Sequence, residues 1–185
     1  MSVLPERANI TIEKLVSMPD EGRRRELVNG VLRVMSPAGG RHGVVTLRLG
    51  RYLGAHVDAH QLGYVFAAET GFVLSRHPDT VRAPDVAFVR RERLPRIADV
   101  TGFVPVIPDL VAEVVSPTDT FSSVEEKTQC WLGSGVHVVL IVDAANHTVR
   151  ICRGANTIEV LGETDELTLP DVLPGWRVKI AELFD

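Results

Sequence analysis

Hydrophobic and polar positions change period several times along the chain. Thr11 precedes Ile12, Leu15 and Val16, a helical spacing that predicts a short capped helix ending near Met18-Pro19. From Arg24 to Met35 the pattern alternates with period two around Asn29-Gly30. That dipeptide predicts a β-hairpin, because both central residues of the tight turn need positive φ. Residues 36–40 break the structure. Val45, Leu49, Tyr52, Leu53 and Val57 then fall on one face of a helix running from about Arg41 to His60.

Tyr64 to Leu74 reads as one strand, followed by a turn at Arg76-His77-Pro78-Asp79. Pro84 to Val89 is a second, short strand. Residues 90–108 form a basic, proline-containing connection with one helical turn. Asp109 to Val115 is nearly all apolar, as expected at the centre of a sheet covered on both faces. Ser122 or Ser123 is expected to cap the next helix, which carries Glu125, Glu126, Lys127 and Trp131 and stops at Gly133-Ser134-Gly135. Val136 to Val142 is another buried strand. Thr148–Cys152 and Thr157–Leu161 read as antiparallel strands, with Leu167–Leu169 extending the same meander. Pro174-Gly175-Trp176 leads into a final strand or helical turn ending at Phe184. The expected architecture is one α/β domain over residues 1–185: a mixed sheet flanked by helices, with an antiparallel C-terminal meander.

Composition narrows the classes. A hydrophobic content of 45% supports a packed core and excludes global disorder. No apolar run approaches the roughly 20 residues of a membrane span. The opening residues show no secretory signal, so the cytoplasm is the default location. Cys130 and Cys152 are too few and too far apart for a cysteine zinc site or a disulfide framework. There are 17 Arg and only three Lys. Residues 1–100 carry a net charge of +4 and residues 101–185 one of −8, so a polyanion would face the first half. The overall charge of −4 weighs against nonspecific nucleic-acid coating.

The informative chemistry is acidic residues inside or beside apolar strands. Asp85 begins Asp85-Val86-Ala87-Phe88-Val89, and Glu113 lies within Leu110-Val111-Ala112-Glu113-Val114-Val115. A carboxylate in such a run is costly to bury alone. Either it has a cationic partner, for Glu113 one such as Arg82 or Arg150, or two acids from adjacent strands share a hard divalent cation. Lys127 shares a helix face with Val124 and Trp131, which turns it inward if they are core residues; a solvated face is the alternative. Glu26 precedes the hairpin turn and reads as a further metal or water ligand or as a surface ion pair. Glu69 points either into the same cleft or to solvent. His42, at the start of the long helix, suits either phosphate contact beside helix N-terminal amides or, as a lone histidine more often does, a structural role. His56 and His60 form an i, i+4 pair without an evident third ligand. No P-loop, dinucleotide fingerprint or nucleophile elbow occurs. Losing Asp85 is expected to leave stability unchanged or higher, since it relieves repulsion with Glu113.

Four ordered segments carry a family resemblance. They are Arg25-Glu26-Leu27-Val28-Asn29-Gly30-Val31-Leu32; Ser36-Pro37 with His42; Ala83-Pro84-Asp85-Val86-Ala87-Phe88-Val89; and Pro108-Asp109-Leu110-Val111-Ala112-Glu113-Val114-Val115-Ser116-Pro117. With Gly135-Val136-His137 through Arg150, this set resembles the Uma family of bacterial proteins read as restriction endonucleases, within the PD-(D/E)xK nuclease superfamily. The resemblance implies a restriction-endonuclease-like core and a Mg²⁺ site, with Mn²⁺ as the substitute ion. Asp85 matches the motif aspartate, Glu113 the second acid and Glu26 the acid ahead of the hairpin. The superfamily lysine two residues after the second acid is replaced by Val115, which leaves Lys127 as the candidate from the next helix. The first reading is therefore a metal-dependent endonuclease on DNA, with RNA as a further candidate substrate and Arg41, Arg48 and Arg51 toward phosphates. The second is a catalytically silent binding or regulatory module of the same fold. A homodimer is implied only by analogy with nucleases that cut both strands.

Overall fold

The computed structural model describes residues 9–19, 22–94, 96–154 and 157–185. Thr11 accepts a hydrogen bond from Lys14 N at 3.3 Å and starts α1, Ile12–Ser17. Strands β1 (Arg25–Val28) and β2 (Val31–Val34) form the expected hairpin. Its turn residues Asn29 and Gly30 have φ of 49° and 74°. The positive φ favours glycine at position 30, and a Cβ there, 2.1 Å from the Asn9 side-chain oxygen, would also make that side chain move aside. Helix α2 spans Gly40–Ala59. Then come β3 (Gly63–Ala67), β4 (Phe72–Ser75), β5 (Thr80–Arg82), β6 (Val86–Arg90) and a 3-10 turn at Ile97–Asp99. Next are β7 (Leu110–Val114), α3 (Phe121–Gly133), β8 (Val138–Asp143), β9 (Thr148–Arg153) and β10 (Thr157–Leu161). The chain closes with β11 (Glu166–Leu169), β12 (Leu173–Lys179) and α4 (Ala181–Phe184).

The main sheet has six strands in the order β10-β9-β8-β7-β6-β3. Only β7 and β8 pair in parallel, and α3 is the crossover between them. Val45, Leu49, Leu53 and Val57 of α2 are buried against Val86, Phe88, Leu110, Ala112 and Leu140. The other face buries Ala87, Val111, Val139 and Ile141 with Trp131 of α3. Both faces of β7 and β8 are thus dry, which explains their unbroken apolar runs. Each fully buried Val, Leu or Phe there stabilises by about 1.5–3 kcal/mol relative to exposure. A four-stranded sheet, β2-β1-β5-β4, stands beside the main one.

Three expectations are corrected. Tyr64 to Leu74 is two strands in different sheets: Glu69 adopts φ 74° in the intervening turn, after which β4 pairs with β5. The cap of α3 is Thr120, whose side chain accepts from Ser123 N while Ser123 Oγ accepts from Thr120 N, a reciprocal capping box. Leu167–Leu169 does not extend the meander. β11 pairs with β12 as a separate ribbon whose Leu167, Leu169, Leu173, Trp176 and Val178 close the α2 side of the core. Among the described residues no helix is long and apolar enough to cross a membrane.

Asp79 ties α1 to the small sheet. Its Oδ2 accepts the Ile12 N–H at 2.8 Å and its Oδ1 the His77 N–H at 3.1 Å. The Ile12 bond foremost, opposed by burial, holds this carboxyl below the usual aspartate range. A depressed folded pKa contributes stability above the unfolded value, lost as pH falls through the folded one. Asp79→Ala should cost about 1–3 kcal/mol at pH 7. Urea titrations at pH 7 and pH 3 should show the gap from wild type shrinking in acid.

Candidate functional site

β6 and β7 are antiparallel with Val86 opposite Ala112, so one further step sets Asp85 opposite Glu113. Alternation then sends Glu113 to the α3 side of the sheet with Val111. Both acids are buried, at 3% and 6% exposure. Asp85 Oδ2 accepts the Val114 N–H at 2.8 Å and lies 3.1 Å from His42 Nε2. Its Oδ1 is 3.4 Å from Arg24 Nη1. Glu113 Oε1 accepts the indole N–H of Trp131 at 2.8 Å, and Oε2 lies 3.5 Å from Lys127 Nζ.

These surroundings move the two acids in opposite directions. Burial pushes the Glu113 carboxyl up to about 7; Lys127 and the Trp131 bond pull it down, while Asp85 and Glu26 add like-charge repulsion. Burial also pushes Asp85 up, but the His42 and Val114 hydrogen bonds and the Arg24 charge together hold it below the usual aspartate range. The same Asp85 bond raises His42 above the ordinary histidine value. Burial pushes Lys127 down, but Glu113, Glu26, Asp119 and Asp85 together hold it above the ordinary lysine value.

The placement of Lys127 follows from local structure. The Thr120 box starts α3, and Trp131 is fully buried at its end. Lys127 lies one turn before Trp131, so it shares the inward face. Glu125 turns to Arg150 and Glu126 to Arg33, where it is exposed. The arginines considered as partners of Glu113 are engaged elsewhere: Arg82 Nη1 lies 3.2 Å from Glu26 Oε2, and Arg150 holds Glu125.

Glu26 is buried in β1. Its Oε1 accepts the Ala83 N–H at 3.0 Å and its Oε2 accepts from Arg82. It thereby fixes the β5–β6 link two residues before Asp85. Val115, at the usual lysine position, packs half-buried against the α3-side core. Glu69 is exposed and lies on the rim shared by two clefts of about 740 and 600 Å³. The larger is also lined by Arg24 and Ser36, the smaller by Asp85 and Arg51. Arg41 donates to the Ala144 carbonyl at 3.3 Å, and Arg51 lies 5.0 Å from the Tyr52 ring centre. The His56 and His60 rings are 4.2 Å apart, with His56 Nε2 3.1 Å from the Pro174 carbonyl.

Three contacts of the acids are not legible in the sequence. Arg24 sits in a run of three arginines with no periodicity to say which one turns inward. The position of His42 at the start of α2 does not by itself reveal its contact with Asp85. The apolar spacing of α3 marks Trp131 as core, but not that its indole also holds Glu113.

The raised Glu113 has a consequence for stability. A carboxyl whose folded pKa exceeds its unfolded value loses stability for the chain as pH rises from about 4.5 to about 7. Glu113→Gln should therefore raise the metal-free melting temperature at pH 8. It should also flatten the decline between pH 4.5 and 7, as followed by calorimetric scans in EDTA.

A mixed sheet that ends two adjacent strands in opposed carboxylates, with a crossover helix bringing a lysine beside them, defines a protein of the restriction-endonuclease-like fold class. The chain belongs to the Uma2 family, described as "Putative restriction endonuclease", whose model matches residues 12–181. Its fold is similar to a solved structure from Anabaena variabilis ATCC 29413, titled a "putative nuclease belonging to DUF820". The two superpose with a TM-score of 0.82 at 18% identity, covering 95% of this chain and 97% of that one. No curated protein matches this chain.

Proposed function

We propose that the protein is a metal-dependent endonuclease hydrolysing DNA phosphodiester bonds. The observation that carries this reading is the trio of Asp85 opposite Glu113 with Lys127 Nζ 3.5 Å from Glu113 Oε2.

Mg²⁺ fits the donor chemistry. Asp85 and Glu113 offer hard oxygen ligands, and a cation beside Glu113 would offset the burial and the neighbouring acids that push its carboxyl up. Among the described residues no group of three His, Cys, Asp or Glu side chains could hold a metal. The protein would supply two carboxylates and leave the remaining positions to water and phosphate. Bound there, Mg²⁺ would withdraw charge from a phosphoryl oxygen and lower the pKa of an attacking water. The chain's own residues do the rest. Val114 N–H and His42 fix Asp85 from one side, and Trp131 fixes Glu113. Lys127 presents an ammonium where negative charge grows on the phosphate. Glu26 acts through Arg82 and through its field on Glu113.

Nicking of supercoiled plasmid in Mg²⁺, quenched by EDTA and absent from a variant lacking Asp85, is the expected result. DNA binding without nicking in Mg²⁺ or Mn²⁺ would favour the silent module instead.

A further inference from the structure

The four oxygens of the acid pair are not equivalent. Asp85 Oδ2 is engaged by the Val114 N–H and His42, and Glu113 Oε1 by the Trp131 indole. Oδ1 and Oε2 remain, and each faces a cation at long range: Arg24 Nη1 at 3.4 Å and Lys127 Nζ at 3.5 Å. Good charge-assisted bonds are about 2.7–2.9 Å. Arg24 is held loosely in other respects. Its Nη2 is 3.9 Å from Glu26 Oε1, and its buried Nε has no hydrogen-bond partner among the described residues. It also lines the 740 Å³ cleft, which gives the guanidinium somewhere to go.

We propose that Arg24 is a built-in counter-ion for Asp85 that a divalent cation must displace from Oδ1, so that the resting site is latched by its own arginine. This rests on the metal-site reading above. A guanidinium loses little by leaving a contact without a short bond and with an unsatisfied Nε. A dication and Arg24 cannot share Oδ1 without strong repulsion, because the charges would lie within a few ångströms in a partly buried setting. Arg24 is a positioning residue here: it acts on the metal's access to Asp85.

The test is Mn²⁺ affinity, measured by calorimetry on the intact chain without substrate. Arg24→Gln removes the competing charge and should bind Mn²⁺ about tenfold more tightly than wild type. Its metal-free melting temperature should fall, because Asp85 loses a counter-charge. Arg24→Lys keeps the charge and should stay within about twofold of wild type. A merely structural role would lower the melting temperature without tightening the metal. Should the glutamine variant fail to fold, the wild type answers alone: in spectra of ¹⁵N-arginine-labelled protein, Mg²⁺ should shift the Arg24 Nε–H signal. An unchanged signal at saturating Mg²⁺ overturns the latch. So does equal or weaker Mn²⁺ binding by Arg24→Gln while Asp85→Asn abolishes binding; the metal site then stands and only the latch fails. No Mn²⁺ binding by wild type or Arg24→Gln overturns both.

Discussion

Asp85→Asn should fold and bind DNA yet lose plasmid nicking by about a thousandfold or more, the scale expected when charge stabilisation at the phosphate is withdrawn. Asparagine keeps an oxygen that can accept the buried Val114 N–H at the same place. It removes the negative charge on which a cation, His42 and Arg24 all depend. Because the acceptor for the buried Val114 N–H survives, its stability should drop only modestly. Asp85→Ala is the harsher change. It orphans the Val114 N–H and leaves Arg24 near Glu26 alone, so a cost of about 1–3 kcal/mol is expected. This reverses the expectation that losing the aspartate would be neutral or stabilising. Repulsion from Glu113 is relieved, but the bonds that hold Asp85 below the usual aspartate range outweigh it. Nicking assays beside thermal unfolding separate the two variants. Wild-type cutting by Asp85→Asn would place the chemistry elsewhere.

Lys127→Met should lower turnover by about a hundredfold to a thousandfold, in line with removal of one fixed donor from a developing oxyanion. The structure adds a second effect. Lys127 is the main influence pulling Glu113 down toward 7, against burial and the two neighbouring acids. Without it Glu113 holds its proton to higher pH, so metal binding at neutral pH should weaken as well, and the residual activity should rise later along the pH axis. Lys127→Arg keeps the charge and should restore the pH profile more than the rate, because a planar guanidinium cannot place one donor as an ammonium does. Rate against pH from 6 to 9 in Mg²⁺ distinguishes these outcomes. A methionine variant with an unshifted profile would show that Lys127 does not govern Glu113.

Much of this was legible because the signals were local. The hairpin declared itself through Asn29-Gly30, α2 through its four buried apolar residues, and β7 through an unbroken apolar run. Asp85 and Glu113 stood out because a carboxylate amid apolar strand residues needs an explanation. Lys127 could be aimed inward from the helix face it shares with Trp131. What stayed hidden depended on distant partners. The turn between β3 and β4 is Ala68-Glu69-Thr70-Gly71, and its positive φ of 74° falls at Glu69 instead of at the glycine, so the break is not announced where it occurs. β5 is three residues long, too short for a period. β11 takes its partner from β12 instead of β10, a choice set by how the tail closes over α2. The inward turn of Arg24 and the indole bond to Glu113 require knowing the crossover first.

That indole gives the molecule an optical handle. The chain has two tryptophans, and they lie on opposite sides of the main sheet. Trp176 donates to the Tyr52 carbonyl at 3.2 Å in the α2-side core, far in character from the acids. Trp131 donates directly to Glu113 at 2.8 Å and is sealed from water. Its emission should therefore respond to a change of charge on that carboxylate. With Trp176 replaced by phenylalanine, a single chromophore would watch the occupancy of the acid pair without label, substrate or turnover.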